Sequence, residues 1–322
     1  MAKELIVPQE YAGTRLDVFL QARFLDFSRS WIQKLIKKGN VSINNKPALP
    51  SKKLKTGELI NFDLELPPEI LLEPDESLGE KIKIIFENDD FLVIAKPSGL
   101  TVHPSSTEPK GTLVNWLLAH YPPIKSVGDF LADGNIRPGL VHRLDKETSG
   151  VMVIAKNQPT FLWLKKQFQQ HRVIKKYIAL VNGSPPDDSG KIELNIVRSK
   201  INPTRNIVTS SKTLGLPAGK AGRRALTYWQ VLRRYPNHTL LEVTPQTGRM
   251  HQIRVHLKAR GWPVAGDKKY GLSRLDPKHL GRMFLHAEYI SFEAPNGEKF
   301  SFNAPLSSEL GECLKNMPYV VK

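Results

Sequence analysis

The sequence predicts an α+β protein: a largely antiparallel, mixed sheet with interspersed helices, preceded by a small α/β module. Three observations predict it. From about Ile82 onward, short apolar runs such as Phe91 to Ala95, Val151 to Ala155, Tyr177 to Val181 and Leu240 to Val243 alternate with turn signals and with helical stretches such as 160–170 and 251–259. Residues 14–56 carry ten Lys or Arg and two Asp, a net of +8 in 43 residues. Residues 64–90 carry nine acids and two lysines, a net of −7 in 27 residues. So sharp a shift marks a boundary, and Pro67, Pro68 and Pro74 disfavour continuous helix there. The expected organisation is a module over 1–65, an acidic linker over 66–82 and a large domain over 83–322.

In the module, Arg15 to Leu20 open a first helix. Ser28 suits an N-cap for a second, in which Trp31, Ile32, Leu35 and Ile36 share one face while Arg29, Lys34, Lys37 and Lys38 lie elsewhere around it. Gly39 is placed to end that helix in a left-handed cap. Val41 and Ile43 before Asn44-Asn45 predict a hairpin, and Leu59, Ile60, Phe62 and Leu64 a closing strand. In the large domain, 199–224 holds six basic residues and no acid, with several Gly and Pro, and reads as a long basic loop or hairpin suited to phosphate contacts.

Composition excludes several classes. With one cysteine, Cys313, neither an intrachain disulfide nor a cysteine-rich zinc site is possible. No secretory signal and no apolar run of membrane-spanning length is seen, so the expectation is a cytoplasmic protein, a monomer, with no membrane partner. The net charge of +16 directs attention to a polyanion, nucleic acid first.

Two segments are dense in chemistry. Residues 137–150, RPGLVHRLDKETSG, bunch His142, Arg143, Asp145 and Lys146 immediately before an apolar strand. A lone loop aspartate is more often a turn residue, but loops on a rigid scaffold are also where catalytic groups concentrate. Residues 247–256, TGRMHQIRVH, put two Arg and two His in a short span. His251 and His256 are five apart, off a common helical face and without a carboxylate, so this is not a metal site. Arginines here suit carboxylates or phosphates. A carboxylate shielded from water needs a cation beside it to serve as a nucleophile. Asp145 with an arginine from the second segment makes a coherent site.

The stretch from His142 to Gly150, HRLDKETSG, resembles the signature of the RluA/RluD-type pseudouridine synthases. Further stretches match in order: Phe86 to Asp90, Val93 to Leu100 with His103-Pro104, Lys175 to Leu180, Thr247 to His256, Gly266-Asp267 with Tyr270-Gly271, and Leu285 to Ala287. The module resembles the alpha-L RNA-binding motif shared with a small-subunit ribosomal protein and tyrosyl-tRNA synthetase tails, on Arg15-Leu16-Asp17, Ser28-Arg29-Ser30 and Lys38 to Val41.

The resemblance implies a catalytic domain of pseudouridine synthase fold that isomerises uridine to pseudouridine in structured RNA, with neither cofactor nor metal. It implies Asp145 as nucleophile, Tyr177 stacked on the uracil and Arg254, in preference to Arg249, as the partner of Asp145. It implies Arg143 in the space left by the flipped base and Lys96 with Pro97 as support; it leaves Arg249 toward RNA phosphate or backbone, and His142, His251 and His256 as structural or RNA-contacting. The expected RNA contacts of the module are Arg29, Lys34, Lys37 and Lys38. Arg137-Pro138-Gly139 and the module most resemble the RluD branch, which implies large-subunit ribosomal RNA, alone or in a pre-ribosomal particle, with tRNA as the alternative. Glu147, Met250 and Ala95 depart from the commoner family residues, which puts local hydrogen bonds in question. Two other classes remain as rivals: a non-catalytic RNA chaperone that keeps the fold, and a metal-dependent nuclease, which would need clustered carboxylates.

Overall fold

The computed structural model describes residues 3–24, 27, 29–63, 72–104, 108–128, 137–199, 201, 202, 204–209 and 222–318. The chain divides into two compact units, Met1–Glu73 with Lys125–Pro138, and Pro74–Ile124 with Gly139–Lys322.

In the first unit, β1 (Lys3–Ile6), α1 (Leu16–Arg23), α2 (Arg29–Lys38), β2 (Val41–Ile43), β3 (Lys46–Pro47) and β4 (Leu59–Phe62) follow in order. The strands form an antiparallel sheet in the order β1-β4-β2-β3. Ile32 and Ile36 of α2 are buried with Leu16, Phe19 and Leu20 of α1 and Val41, Ile43, Ile60 and Phe62 of the sheet. The opposite side of α2 leaves Lys34, Lys37 and Lys38 exposed, and Lys34 lies over the Trp31 ring. Gly39, with φ of 88°, lets the backbone turn left-handed so that Asn40 N–H returns to the Leu35 carbonyl. Asn44 and Asn45, with φ of 49° and 61°, make the tight turn between β2 and β3. Ser28 lies outside the described residues.

The second unit contains β5 (Lys83–Glu87), β6 (Phe91–Lys96), α3 (Leu113–His120), β7 (Ser149–Ala155), α4 (Gln158–Gln169) and β8 (Ile174–Asn182). There follow β9 (Ser189–Glu193), β10 (Asn195–Arg198), β11 (Asn206–Thr209), β12 (Leu226–Arg234), β13 (His238–Pro245), α5 (Gln252–Ala259), β14 (Leu285–Glu293), β15 (Lys299–Asn303) and α6 (Ser308–Lys315). A mixed sheet runs β5-β6-β7-β14-β8-β13-β12-β9, with β15 also on β14. Among the described residues, β7 against β14 is the one parallel pairing in it, through Ser149↔His286 and Gly150↔Ala287. β7 is buried along its whole length, as its unbroken apolar run requires, whereas β13 alternates buried and half-buried residues. On one face Ala179, Val181, Leu241, Val243 and Trp229 pack with Ile253 and Leu257 of α5. On the other, Ile178, Leu180 and Phe284 pack with Leu310 and Cys313 of α6. Within the basic segment β11 is described, and it pairs antiparallel with β10 just before the segment.

One boundary differs from expectation. The second half of the acidic stretch is folded into the second unit. A 3-10 turn at Glu76–Lys81 is capped by Asp75, whose side chain accepts the Ser77 N–H at 3.0 Å, and Asp75 N–H donates to the Asn115 carbonyl of α3. Its acids act as caps and solvated surface, so composition alone read it as a linker. Among the described residues no helix is long and apolar enough to cross a membrane.

Candidate active site

The loop before β7 carries Asp145, and backbone and buried cations fix its shape. Lys96 is buried at the end of β6 and donates to the carbonyls of Pro97, Leu100 and Lys146 at 2.8, 2.8 and 3.1 Å. Burial, with Arg282 nearby, pulls its ammonium down to about 7 against the raising effect of Asp145. The Glu147 carbonyl accepts from Ser98 Oγ at 2.8 Å and from Arg282 Nη2 at 3.2 Å, and Arg282 Nη2 also donates to Ser149 Oγ at 2.7 Å. Gly150, with φ of 120°, lies so close to β14 that a Cβ there would stand 2.1 Å from the Ala287 carbonyl oxygen.

The second segment folds as a turn into α5. Arg254 projects from that helix and is buried. Its Nη1 donates to Asp145 Oδ2 at 2.8 Å; its Nε and Nη2 donate to Asp267 Oδ2 and Oδ1 at 2.7 and 2.8 Å. Asp267 is buried and also accepts the backbone N–H groups of Lys269 and Tyr270 at 2.9 and 3.0 Å. Burial pushes its carboxyl up, but these donors prevail and hold it below the ordinary range. The guanidinium is thus a bridge: two of its nitrogens are seated on Asp267 so that the third presents to Asp145. Arg254 lies over the Tyr270 ring, 5.1 Å from its centroid, and its charge is held firmly on by both carboxylates.

Tyr177 lies on β8, paired with Val243 and Ala287, and packs beside the cluster of Ala179, Leu241 and Val243. Burial and the charge of Asp145 keep its hydroxyl proton on. A register shift in β14 between Ala287 and Tyr289 falls opposite Tyr177 and Lys176, where added twist re-aims side chains. Asp145 and Arg254, expected together from sequence, meet here from a loop and a helix, and Tyr177 on its strand lies within reach of the Asp145 charge.

Other expected residues take different places. Arg143 is exposed beside the site, with Nη1 3.4 Å from His103 Nε2. Arg249 donates its Nε to the Arg224 carbonyl at 3.3 Å and its N–H to Gln252 Oε1 at 3.0 Å, away from Asp145. His142 has a structural role: its Nε2 accepts the Val153 N–H at 3.1 Å and its ring stacks on Phe168, and burial lowers it to about 3, so the ring stays neutral. Lys96 likewise supports the loop, since its three donors are spent on carbonyls. Arg29 donates to Asp17 Oδ2 at 3.1 Å and so braces its unit; Arg15 and Gln33 bind the same buried carboxylate. His256 is buried between Thr227 and the Leu194 carbonyl.

At the three departures from the family pattern, the interactions near the site run mostly through backbone. Glu147 and Met250 offer carbonyls to Ser98 and Asn206, and Ala95 pairs with Lys83 and Val151 in the sheet. Sequence reasoning gave no role to Asp267, Tyr270, Asn206 or Arg282. The signal for the first two was their place in a matching stretch. Among the described residues no group of three or more His, Cys, Asp or Glu is placed to hold a metal ion.

Comparison with known proteins gives a consistent picture. Residues 90–259 match a family model described as RNA pseudouridylate synthase, and residues 14–60 match the S4 domain. The chain is 39% identical over 324 residues to ribosomal large subunit pseudouridine synthase D of Neisseria meningitidis, covering 96% of this chain and 80% of that protein. It is 44% identical over 270 residues to an uncharacterized RNA pseudouridine synthase of Aquifex aeolicus, covering 83% and 80%. Among solved structures it is similar to human RNA pseudouridylate synthase domain containing 4, with a TM-score of 0.57 and 27% identity over 72% of this chain and 92% of that chain.

Proposed function

The chain belongs to the RluA/RluD family of RNA pseudouridine synthases, with an S4 domain ahead of the synthase domain, and from that premise we propose that Asp145 is the nucleophile that isomerises uridines of large-subunit ribosomal RNA. The observation that carries this reading is the bridge Asp267–Arg254–Asp145. Arg254 holds Oδ2 of Asp145 at 2.8 Å, and among the described residues Oδ1 takes no hydrogen bond. One carboxylate oxygen is anchored and the other is presented.

The bond from ribose C1′ to uracil N1 breaks, the base turns over and C1′ joins C5, while the C5 proton leaves and N1 gains one. Substrate and product have the same composition, so the reaction consumes no co-reactant. The target base must leave its stack, which costs a few kcal/mol. Tyr177 offers it an aromatic face worth roughly 1–3 kcal/mol. Arg143, exposed beside the site, can fill the gap in the RNA. Lys34, Lys37 and Lys38 on α2 offer phosphate contacts that position the RNA without reading it. The ribosomal target draws support from the name of the Neisseria relative. The reading carries with it a monomer acting in the cytoplasm.

The test uses ribosomal RNA carrying uridine tritiated at C5, without added metal. Tritium is released by the wild type and not by Asp145→Asn. Binding without release would instead favour a chaperone, strand cleavage a nuclease, and release from tRNA alone the other target.

A further inference from the structure

A chain of hydrogen bonds runs from the β10–β11 hairpin to His251, which stands beside Asp145, separate from the Arg254 bridge. Asn206 opens β11. Its Nδ2 donates to the Met250 carbonyl at 2.6 Å and its backbone N–H donates to the Tyr270 hydroxyl at 2.8 Å. That hydroxyl lies 2.9 Å from His251 Nδ1, and His251 Nε2 lies 4.0 Å from Asp145 Oδ2. The Tyr270 oxygen accepts the Asn206 N–H, which leaves its own proton to be offered to Nδ1. With Nδ1 accepting, the neutral ring carries its own proton on Nε2, the nitrogen that faces Asp145. His251 also has a φ of 56°, a left-handed conformation that a non-glycine residue holds at a cost. The tether from Asn206 to Met250 acts on the residue just before it.

We propose that Asn206, Tyr270 and His251 form a positioning relay through which the β10–β11 hairpin sets the Asp145 carboxylate for reaction; this deepens the reading of the site given above and rests on it. Oδ2 is approached from two sides, by Arg254 and by the Nε2 proton of His251, which keeps Oδ1 turned to the target nucleoside. Residues 199–224, which include β11, carry six basic residues and no acid, so RNA that engages this segment acts on the strand that sets the relay. The charged groups facing His251 are Asp145, Asp267, Arg254 and Lys269, with Tyr270 on Nδ1. Burial, then Arg254 and Lys269, lower its basicity, against Asp145 and Asp267. These groups together favour the neutral ring.

The test is a double-mutant cycle on the full chain, with single-turnover tritium release from ribosomal RNA as the rate and filter binding of the same RNA beside it. Tyr270→Phe removes the hydroxyl and keeps the ring over which Arg254 lies. His251→Asn keeps a residue type that tolerates the left-handed backbone. Each single change is expected to slow release about tenfold, the scale of one hydrogen bond, with RNA affinity held within about twofold. The double variant is expected to be no slower than the slower single, because both break one relay. Tyr270→Phe also frees Nδ1 to take a proton, so the acid limb of its rate profile moves to higher pH, which a purely structural loss would not do. Asn206→Ala, which keeps its backbone N–H, serves where Tyr270→Phe fails to fold, and is expected to show the same non-additivity with His251→Asn. Effects that multiply, or an unmoved acid limb, overturn the relay while the active wild type leaves the assignment of Asp145 standing. An inactive wild type overturns both.

Discussion

Asp267→Asn tests whether the seat of Arg254 matters to Asp145. In the native site Asp267 Oδ1 accepts three donors, Arg254 Nη2 at 2.8 Å and the N–H groups of Lys269 and Tyr270 at 2.9 and 3.0 Å, while Oδ2 accepts Arg254 Nε at 2.7 Å. An asparagine has one acceptor oxygen, and the two backbone donors claim it. Its amide nitrogen must then stand where Oδ2 stood, donor against the N–H of Arg254 Nε. One charge-assisted bond is lost and a repulsive contact replaces it, in a place where Asp267 is fully buried and the Arg254 side chain is 4% exposed. Losing a hydrogen bond to a charged group costs about 1.5–3 kcal/mol, and breaking a buried ion pair reaches about 3–5. A loss of about 3 kcal/mol is therefore expected in stability. If the misplacement of Arg254 passes wholly to the reaction, the same figure slows it about 100-fold. Urea unfolding gives the first number and single-turnover tritium release the second. A destabilised enzyme that still turns over within twofold of the wild type would show that Asp267 serves folding only, and the bridge argument would fail.

Other perturbations follow from the same contacts. Lys96→Met keeps the volume but strands the carbonyls of Pro97, Leu100 and Lys146; a loss of about 3 kcal/mol in urea unfolding is expected, with tritium release falling as the Asp145 loop loosens. Gly150→Ala puts a Cβ 2.1 Å from the Ala287 carbonyl oxygen at a φ of 120°, and a cost of about 3 kcal/mol or more should show as a lowered melting temperature or insoluble protein. Asp17 is pushed up by burial, yet hydrogen bonds from Arg15, Gln33 and Arg29 hold it at about 2 against an ordinary 3.8. Its folded value lies below its unfolded value, so it stabilises the S4 domain above pH about 4, by about 2 kcal/mol, and that contribution fades as pH falls through about 2. Acid titration followed by circular dichroism should show Asp17→Asn less stable at neutral pH and lacking this part of the acid-dependent loss.

The fold was legible where periodicity was unambiguous. Trp31, Ile32, Leu35 and Ile36 recur at helical spacing and become the inner side of α2; the alternation in β13 and the continuous apolar run of β7 report one buried face and two. The core of the site was legible because one short motif holds Asp145 and another holds Arg254. What stayed hidden depended on partners distant in sequence. Arg29 reads as a surface cation until Asp17, twelve residues earlier, is found to accept its N–H. Lys96 reads only as general support for the site because no pattern reveals that three carbonyls, one of them fifty residues away, enclose its ammonium. The acidic stretch was read by its charge, which says nothing of whether Asp75 caps a turn. Asp267 lies beyond α5 on a turn whose geometry alone decides that its carboxylate meets Arg254.

The parallel seam between β7 and β14 has a bearing on when the enzyme becomes active. Ser149 and His286, hydrogen-bonded at 2.8 Å, are 137 positions apart, and the loop bearing Asp145 leads directly into that seam. Contacts so distant in sequence carry the largest closure entropy and form late. During synthesis Tyr177 and Arg254 emerge before His286, so the strand that the Asp145 loop leads into gains its parallel partner only once β14 has been translated. A chain still short of β14 therefore carries every residue of the proposed site on a scaffold whose β7 lacks one edge partner.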